Sequence, residues 1–238
     1  MNIEEQGKRK TRLKKLFSQY CMDKIPIIII GARADGHAKV VLEIINAGKK
    51  YKVVGFVDDD PKKMGYEIKG IKVMGSTDEL VKFKNEKNIK GAIVAIGNNP
   101  MRRNLSEKII KSGLELINAI HPTVYMDPDV KVGRGCYIGQ GVIVVTGTVI
   151  GNCVNIHTGA TIDHDNVIED GANIGPGVHT AGRVKIGQDA FLGTGAIVIP
   201  DASVGAGTVI GAGGVVIDQI PAGVTAVGVP AKVIKKNN

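Results

Sequence analysis

The sequence predicts two units of different class, a small α/β domain with a Rossmann-like parallel sheet followed by a parallel β-helix. Three observations carry this. Every sixth residue from Val132 to Val216 is aliphatic, with Thr180 the one exception. From Lys24 to about Thr123, short apolar runs alternate with helical patterns. Aromatic residues make up only 4% of the 238 residues and Trp is absent, so the core is aliphatic, which suits a coil better than a sandwich. The predicted division is a basic extension over 1–24, the α/β domain over 25–123, the β-helix over 124–220 and a terminal cap over 221–238.

Residues 1–26 hold seven Lys/Arg against Glu4, Glu5 and Asp23, a charge of +4, and Leu13, Leu16, Phe17 and Tyr20 fall at helical spacing. One reading is a basic helix making weak membrane-surface contact; the other is a solvated terminal extension. In the α/β domain, Ile25–Ile30 is an apolar run ending at Gly31, and Gly31-Ala32-Arg33-Ala34-Asp35-Gly36-His37 is a loop before the helical pattern of Val40, Val41, Ile44 and Ile45. Strands follow at Val53–Val57, Ile71–Met74, Ala92–Ile96 and Leu116–Ile120, with helices opening at Thr77-Asp78-Glu79-Leu80 and covering Arg102–Lys111. Such alternation argues a parallel sheet with helices on both faces. Ligands of such sheets bind at the carboxyl ends of the strands, here Gly31–His37, Asp58-Asp59, Gly75 and Gly97–Asn99. The loop lacks GxGxxG, which argues against a dinucleotide. Its glycines and the helix start still offer N–H groups to a phosphate.

The repeat positions run Val132, Ile138, Val144, Ile150, Ile156, Ile162, Ile168, Ile174, Thr180, Ile186, Leu192, Val198, Val204, Ile210 and Val216. Many are followed by Gly, and the position four later is mostly small, as at Ala160, Ala172, Ala190, Ala196 and Ala202. A six-residue period of this kind marks a parallel β-helix. Three hexads close one coil, so residues eighteen apart stack at roughly the 4.8 Å inter-strand spacing. The segment from Ile220-Pro221-Ala222-Gly223 to Val233-Ile234 breaks the period and is expected to cap the open coil.

The net charge of +8 lacks the basic–aromatic interleaving of a nucleic-acid surface. Cys21, Cys136 and Cys153 form no CxxC pair, which fits a reducing cytoplasm, and no signal peptide or long apolar span is evident. No cluster of Cys, His and carboxylates has metal-ligand spacing, so no catalytic metal is expected.

Several stretches together carry a family resemblance. They are Asp35-Gly36-His37, Phe56-Val57-Asp58-Asp59, Ala95-Ile96-Gly97-Asn98-Asn99, Ile162-Asp163-His164-Asp165, His179-Thr180-Ala181-Gly182 and Gly228-Val229-Pro230-Ala231. Over about residues 25–236 the chain resembles the acetyl-CoA-dependent sugar acetyltransferases, typified by bacillosamine and perosamine N-acetyltransferases and sialic acid O-acetyltransferases. The resemblance implies a left-handed coil, a homotrimer and an acetyl-CoA site between neighbouring coils. It implies a catalytic His164 with Asp165 beside it, and acetyl-CoA contacts at Asn173, Gly182, Thr194 and Ala212. It places a nucleotide-linked sugar at Asp35, Gly36, His37, Asp58, Asp59 and Gly75. Asn173 stands where some relatives carry histidine, and the Gly31–His37 loop is two residues longer than the family's usual one.

The repeat adds its own argument. Gly182 is eighteen residues after His164, so it should stack one coil above, where its N–H is placed to meet charge developing on a thioester oxygen. Asn173 is half a coil from His164 and faces another side of the coil, so the two meet only across a subunit boundary, as a cyclic trimer provides. Asp165 reaches His164 only if the pair lies at a coil corner, because adjacent strand residues point to opposite faces. The expected activity is N-acetylation of a nucleotide-linked 4-amino sugar, with His164 as general base. The alternatives are O-acetylation of sialic acid or a related hydroxyl, and a non-catalytic trimeric scaffold. His121 and His157 are expected to be structural; His179 is open between packing and a cofactor contact.

Overall fold

The computed structural model describes residues 24–32 and 36–237. The basic extension over 1–23 and Asp35 lie outside the described residues.

The first unit is a four-stranded parallel sheet in the spatial order Tyr51–Val57, Ile25–Ile30, Gly91–Val94 and Glu115–Leu116. The run of isoleucines at 27–30 is the signature of a strand covered on both faces. Ile27 and Ile29 pack beneath the helix His37–Gly48, whereas Ile28 and Ile30 pack beneath Leu80–Lys87 and Asn99–Lys111. The helix Leu80–Lys87 is entered through a 3₁₀ turn whose Ser76 and Glu79 form a reciprocal capping box. Asn98 caps Asn99–Lys111, its Oδ1 accepting the Met101 N–H at 2.9 Å.

Two of the expected strands differ. Ile71–Lys72 pairs antiparallel with Glu67–Ile68, and only Val73 bridges to Phe56 of the main sheet. The expected strand Leu116–Ile120 divides: Glu115–Leu116 closes the sheet, while Ala119–Ile120 pairs with Tyr137–Ile138 as the first rung of the coil. Asn118 makes the turn between them, donating to Gly133 O and accepting from Cys136 N. The coil therefore begins at Ala119, earlier than the boundary at 124, and the hexad phase extends back through Met126 to Ile120.

The second unit is a parallel β-solenoid with sheets of eight, six and five strands. The rungs from Ala119 to Val216 pair residues eighteen apart, as Ile138 with Ile156 and Ile162 with Thr180, and the spacing shortens to sixteen only at the end, where Ile210 pairs with Ala226. The repeat residues from Ile138 to Val216 are buried, Thr180 included. Over the last rung Val224–Val227 still pairs in parallel, and Lys232–Lys236 returns antiparallel to cover the edge.

The α/β unit sits against the eight-stranded sheet. The peg is Arg102, fully buried, whose guanidinium donates to the carbonyls of Cys153 (2.8 Å), Ile96 (3.1 Å) and Gly171 (2.7 Å) and to Asn99 Oδ1 (3.0 Å). Asn99 in turn donates to Asp189 O, and Arg103 pairs with the Asp189 carboxylate. Burial pulls the Arg102 guanidinium down to about 10, still charged at neutral pH, with carbonyl dipoles taking the place of a carboxylate partner.

Candidate active site

His164 and Asp165 lie between the strands Thr161–Ile162 and Val167–Ile168, at a corner of the coil. Asp165 takes a left-handed conformation (φ 57°), which turns its side chain to the same side as that of His164. The corner settles how adjacent residues can meet: His164 Nδ1 lies 2.8 Å from Asp165 Oδ2. A carboxylate only accepts, so Nδ1 carries the proton and Nε2 keeps its lone pair. The His164 side chain is 40% exposed, and Nε2 has no hydrogen-bond partner among the described residues.

Gly182 stacks directly above. A Cβ at this position would fall on the His164 ring, nearest Nε2, so only glycine leaves the imidazole its place. At the stacked positions below, the N–H of Thr146 is held by Asp127 Oδ2 and that of His164 by Asp163 Oδ1, each at 2.8 Å. The Gly182 N–H has no hydrogen-bond partner among the described residues. A free donor beside a free imidazole nitrogen is an arrangement for proton removal next to developing negative charge.

The remaining cofactor candidates lie elsewhere on the coil. Thr194 and Ala212 are exposed and stacked at the next corner, between the strands of the eight- and six-stranded sheets. Asn173 is buried beneath the α/β unit, where its amide reaches Asn99 Oδ1 at 3.4 Å. Within one chain, then, the coil does not bring Asn173, Thr194 or Ala212 to His164. His179 is exposed and bonded to Thr161 Oγ1. His157 is packed against Tyr137 and His37, with ring centroids 5.1 and 5.4 Å away. Burial drives the Cys136 thiol up to about 12, so it stays protonated and apolar.

A second feature opens at the carboxyl ends of the sheet strands, a cleft of about 610 Å³ lined by Gly31, Gly36, His37, Asp58, Lys63 and Asn98. A side pocket of about 210 Å³ adds Asp59 and Thr77. Gly36 precedes the helix and offers no capping side chain, so first-turn N–H groups face the cleft's end of the helix. Asp58 accepts from Ala32 N, Asp60 N and Lys63 Nζ (2.7, 3.0 and 2.8 Å). Burial raises its carboxyl, but these hydrogen bonds outweigh it and hold the group below its ordinary value. Asp59 grips Thr77 through both oxygens. Gly75 is buried behind this loop, with its carbonyl accepting the Asp58 N–H. Lys63, absent from the sequence candidates, is the cation lining the cleft among the described residues. His37 opens the helix with its ring turned toward Tyr137, 4.6 Å between centroids. Burial first, then the nearby His157 and Arg102, draw its pKa down to about 3.

A further depression, about 740 Å³, lies at the opposite strand ends, between Tyr51, Leu116 and Arg134. It holds no convergent catalytic groups, and ligands of parallel sheets bind at the other end. Among the described residues no group of three or more His, Cys, Asp or Glu is placed to hold a metal ion.

Residues 26–109 match the family model of the PglD N-terminal domain. GDP-perosamine N-acetyltransferase from Escherichia coli O157:H7 is 31% identical over 218 residues, covering 86% of this chain and 95% of the relative. The chain belongs to the sugar acetyltransferase family of hexapeptide-repeat proteins. PerB from Caulobacter crescentus, solved in complex with CoA and GDP-perosamine, is 40% identical, with a TM-score of 0.82 over 88% of this chain and 97% of its own. The acetyltransferase domain of PglB from Neisseria gonorrhoeae, in complex with acetyl coenzyme A, is 34% identical, with a TM-score of 0.80 over 89% and 100%.

Three residues of this acetyltransferase escaped the sequence reading. Lys63 lies beyond Asp60-Pro61 and nothing in its spacing ties it to Asp58. Arg102 entered that reading only as the first residue of the helix expected over Arg102–Lys111. Asn166 did leave a signal, since it stands four after Ile162, where the repeat elsewhere has aliphatic or small residues or threonine and no other amide.

Proposed function

We propose that this acetyltransferase moves the acetyl group of acetyl-CoA directly to the amino group of a nucleotide-linked 4-amino sugar, with His164 as general base. The observation that carries this is the His164–Asp165 pair at 2.8 Å, with Nε2 set against Gly182, whose N–H has no hydrogen-bond partner among the described residues. His164 Nε2 takes the proton of the amine as its nitrogen attacks the thioester carbonyl. Asp165 stabilises the imidazolium, and the Gly182 N–H meets the negative charge on the carbonyl oxygen. As the carbon–sulfur bond breaks, the imidazolium returns a proton to the departing thiolate, leaving an amide and CoA.

The cleft supports a nucleotide-linked acceptor over a free sugar. A helix start, Gly31, Gly36 and Lys63, all on the cleft, together suit a diphosphate. The corners support a homotrimer: His164 and the Thr194–Ala212 edge lie at different corners of one coil, so a neighbouring chain completes the acetyl-CoA site. Exposed Tyr125 and Ile143, with Ile197 beyond the Thr161 and His179 rungs, lie on the sheet between those corners and supply apolar contact surface.

The test is CoA release and product mass with a panel of GDP-, UDP- and dTDP-linked 4-amino sugars and sialic acid. Acetylation of one 4-amino sugar, lost in His164→Ala, is expected. Turnover of sialic acid alone would move the acceptor to a hydroxyl, and His164→Ala within tenfold of the parent would remove His164 from its role.

A further inference from the structure

The interior of the coil is aliphatic, with few exceptions, and two of these lie under the His164 turn. The inward column through this corner runs Val130, Thr148, Asn166, Val184 and Ala202, so polar residues stand only at 148 and 166. Both are completely buried. Elsewhere in the coil a small or aliphatic residue suffices, and a buried amide costs free energy unless it is hydrogen-bonded. What these two bind is therefore informative.

Asn166 Nδ2 donates to Asp163 O at 2.8 Å, to His164 O at 3.1 Å and to Ala181 O at 2.8 Å. Thr148 Oγ1 donates to Asp163 O at 3.0 Å and lies 3.3 Å from the Asn166 N–H. One amide thus ties the turn that carries His164 to the turn stacked above it. The upper contact has a specific consequence. Ala181 C=O and Gly182 N–H belong to one peptide plane, and in a trans peptide the two groups point in opposite directions. Holding Ala181 O inward, toward Asn166, aims the Gly182 N–H outward, on the side where the His164 ring lies. A hydrogen bond at the carbonyl also polarises the peptide and strengthens its N–H as a donor.

We propose that Asn166, supported by Thr148, is a positioning residue that holds the general base and the oxyanion donor in mutual register. It touches no substrate and acts through the Ala181–Gly182 peptide and the His164 backbone. The inference rests on the roles proposed above for His164 and Gly182.

The test is Asn166→Val, which installs the residue that Val184 already supplies one coil above. Expected are a lower melting temperature, because the carbonyls of Asp163, His164 and Ala181 lose their shared donor, a kcat, measured where the variant is fully folded, lower by about tenfold to a hundredfold, and an unchanged KM for acetyl-CoA. A crystal structure of the variant is expected to have the Ala181–Gly182 peptide rotated and the His164 ring displaced from beneath Gly182. Thr148→Val should give a smaller loss of the same kind, and Asn166→Asp, which replaces the donor with an acceptor, a larger one. An Asn166→Val protein with parental kcat where it is fully folded, or with the peptide unmoved, overturns the proposal. If the parent acetylates nothing in the acceptor panel, the proposed reaction fails; the position of the peptide in the two crystal structures still decides whether Asn166 aims it.

Discussion

At the scale of the residue, chemistry concentrates on three side-chain facts. His164 has a carboxylate on one nitrogen and none on the other, so its loss in His164→Ala should lower kcat by about 10²–10⁴-fold with little effect on folding. Gly182→Ala should also impair turnover while CoA binding persists, because the added methyl displaces the ring; steady-state kinetics with a CoA titration separates the two effects. His37 gives a pH prediction. It is neutral in the fold down to about 3, whereas in the unfolded chain it titrates near 6.5. Stability is therefore full above about 6.5 and falls with pH below it, by up to about 1.4 kcal/mol per pH unit while only the unfolded chain takes up the proton. Denaturant unfolding between pH 7 and 4.5 should follow this slope. His37→Phe should flatten it, leaving the smaller contribution of His157, whose pKa burial also lowers.

At the scale of the element, helix Asn99–Lys111 is the bolt between the two units. Arg102 gathers five acceptors with no carboxylate among them. Arg102→Met should cost about 2–5 kcal/mol, because buried carbonyls lose their donor, and should lower the melting temperature measured by calorimetry. Inside the coil the opposite holds at Thr180, whose buried Oγ1 has no partner. Thr180→Val keeps the shape and should raise stability by about 1 kcal/mol. A Thr180→Val protein less stable than its parent would mean that the hydroxyl is satisfied by water.

At the scale of the whole molecule, the coil sets two corners apart, and the homotrimer proposed above is what would reunite them. Light scattering should therefore give three copies per particle. Replacing Ile143 and Ile197 together with Glu should produce monomers that keep the coil's circular dichroism and lose acetyl transfer. The cleft makes a separate prediction. Nucleoside diphosphates should raise the melting temperature by preferential binding to the native state, and Lys63→Ala should diminish that shift.

The sequence by itself determined the coil. A period of six, held in phase from Val132 to Val216, leaves one way to bury an aliphatic column, and the eighteen-residue stacking that places Gly182 over His164 follows arithmetically. It also determined the parallel sheet, since Ile25–Ile30 can be buried only between two layers of helix. Tertiary structure decided the rest. Leu116–Ile120 reads as one strand, yet Asn118 divides it between sheet and coil through bonds to Gly133 and Cys136. Asp58 and Asp59 read as free ligand groups, yet their oxygens hold Ala32, Lys63 and Thr77. Arg102 reads only as the first residue of a helix and is the most enclosed cation among the described residues. Local pattern records how often a side chain turns inward; it carries no record of which distant backbone carbonyl waits there, because that depends on how the sheet unit and the coil meet.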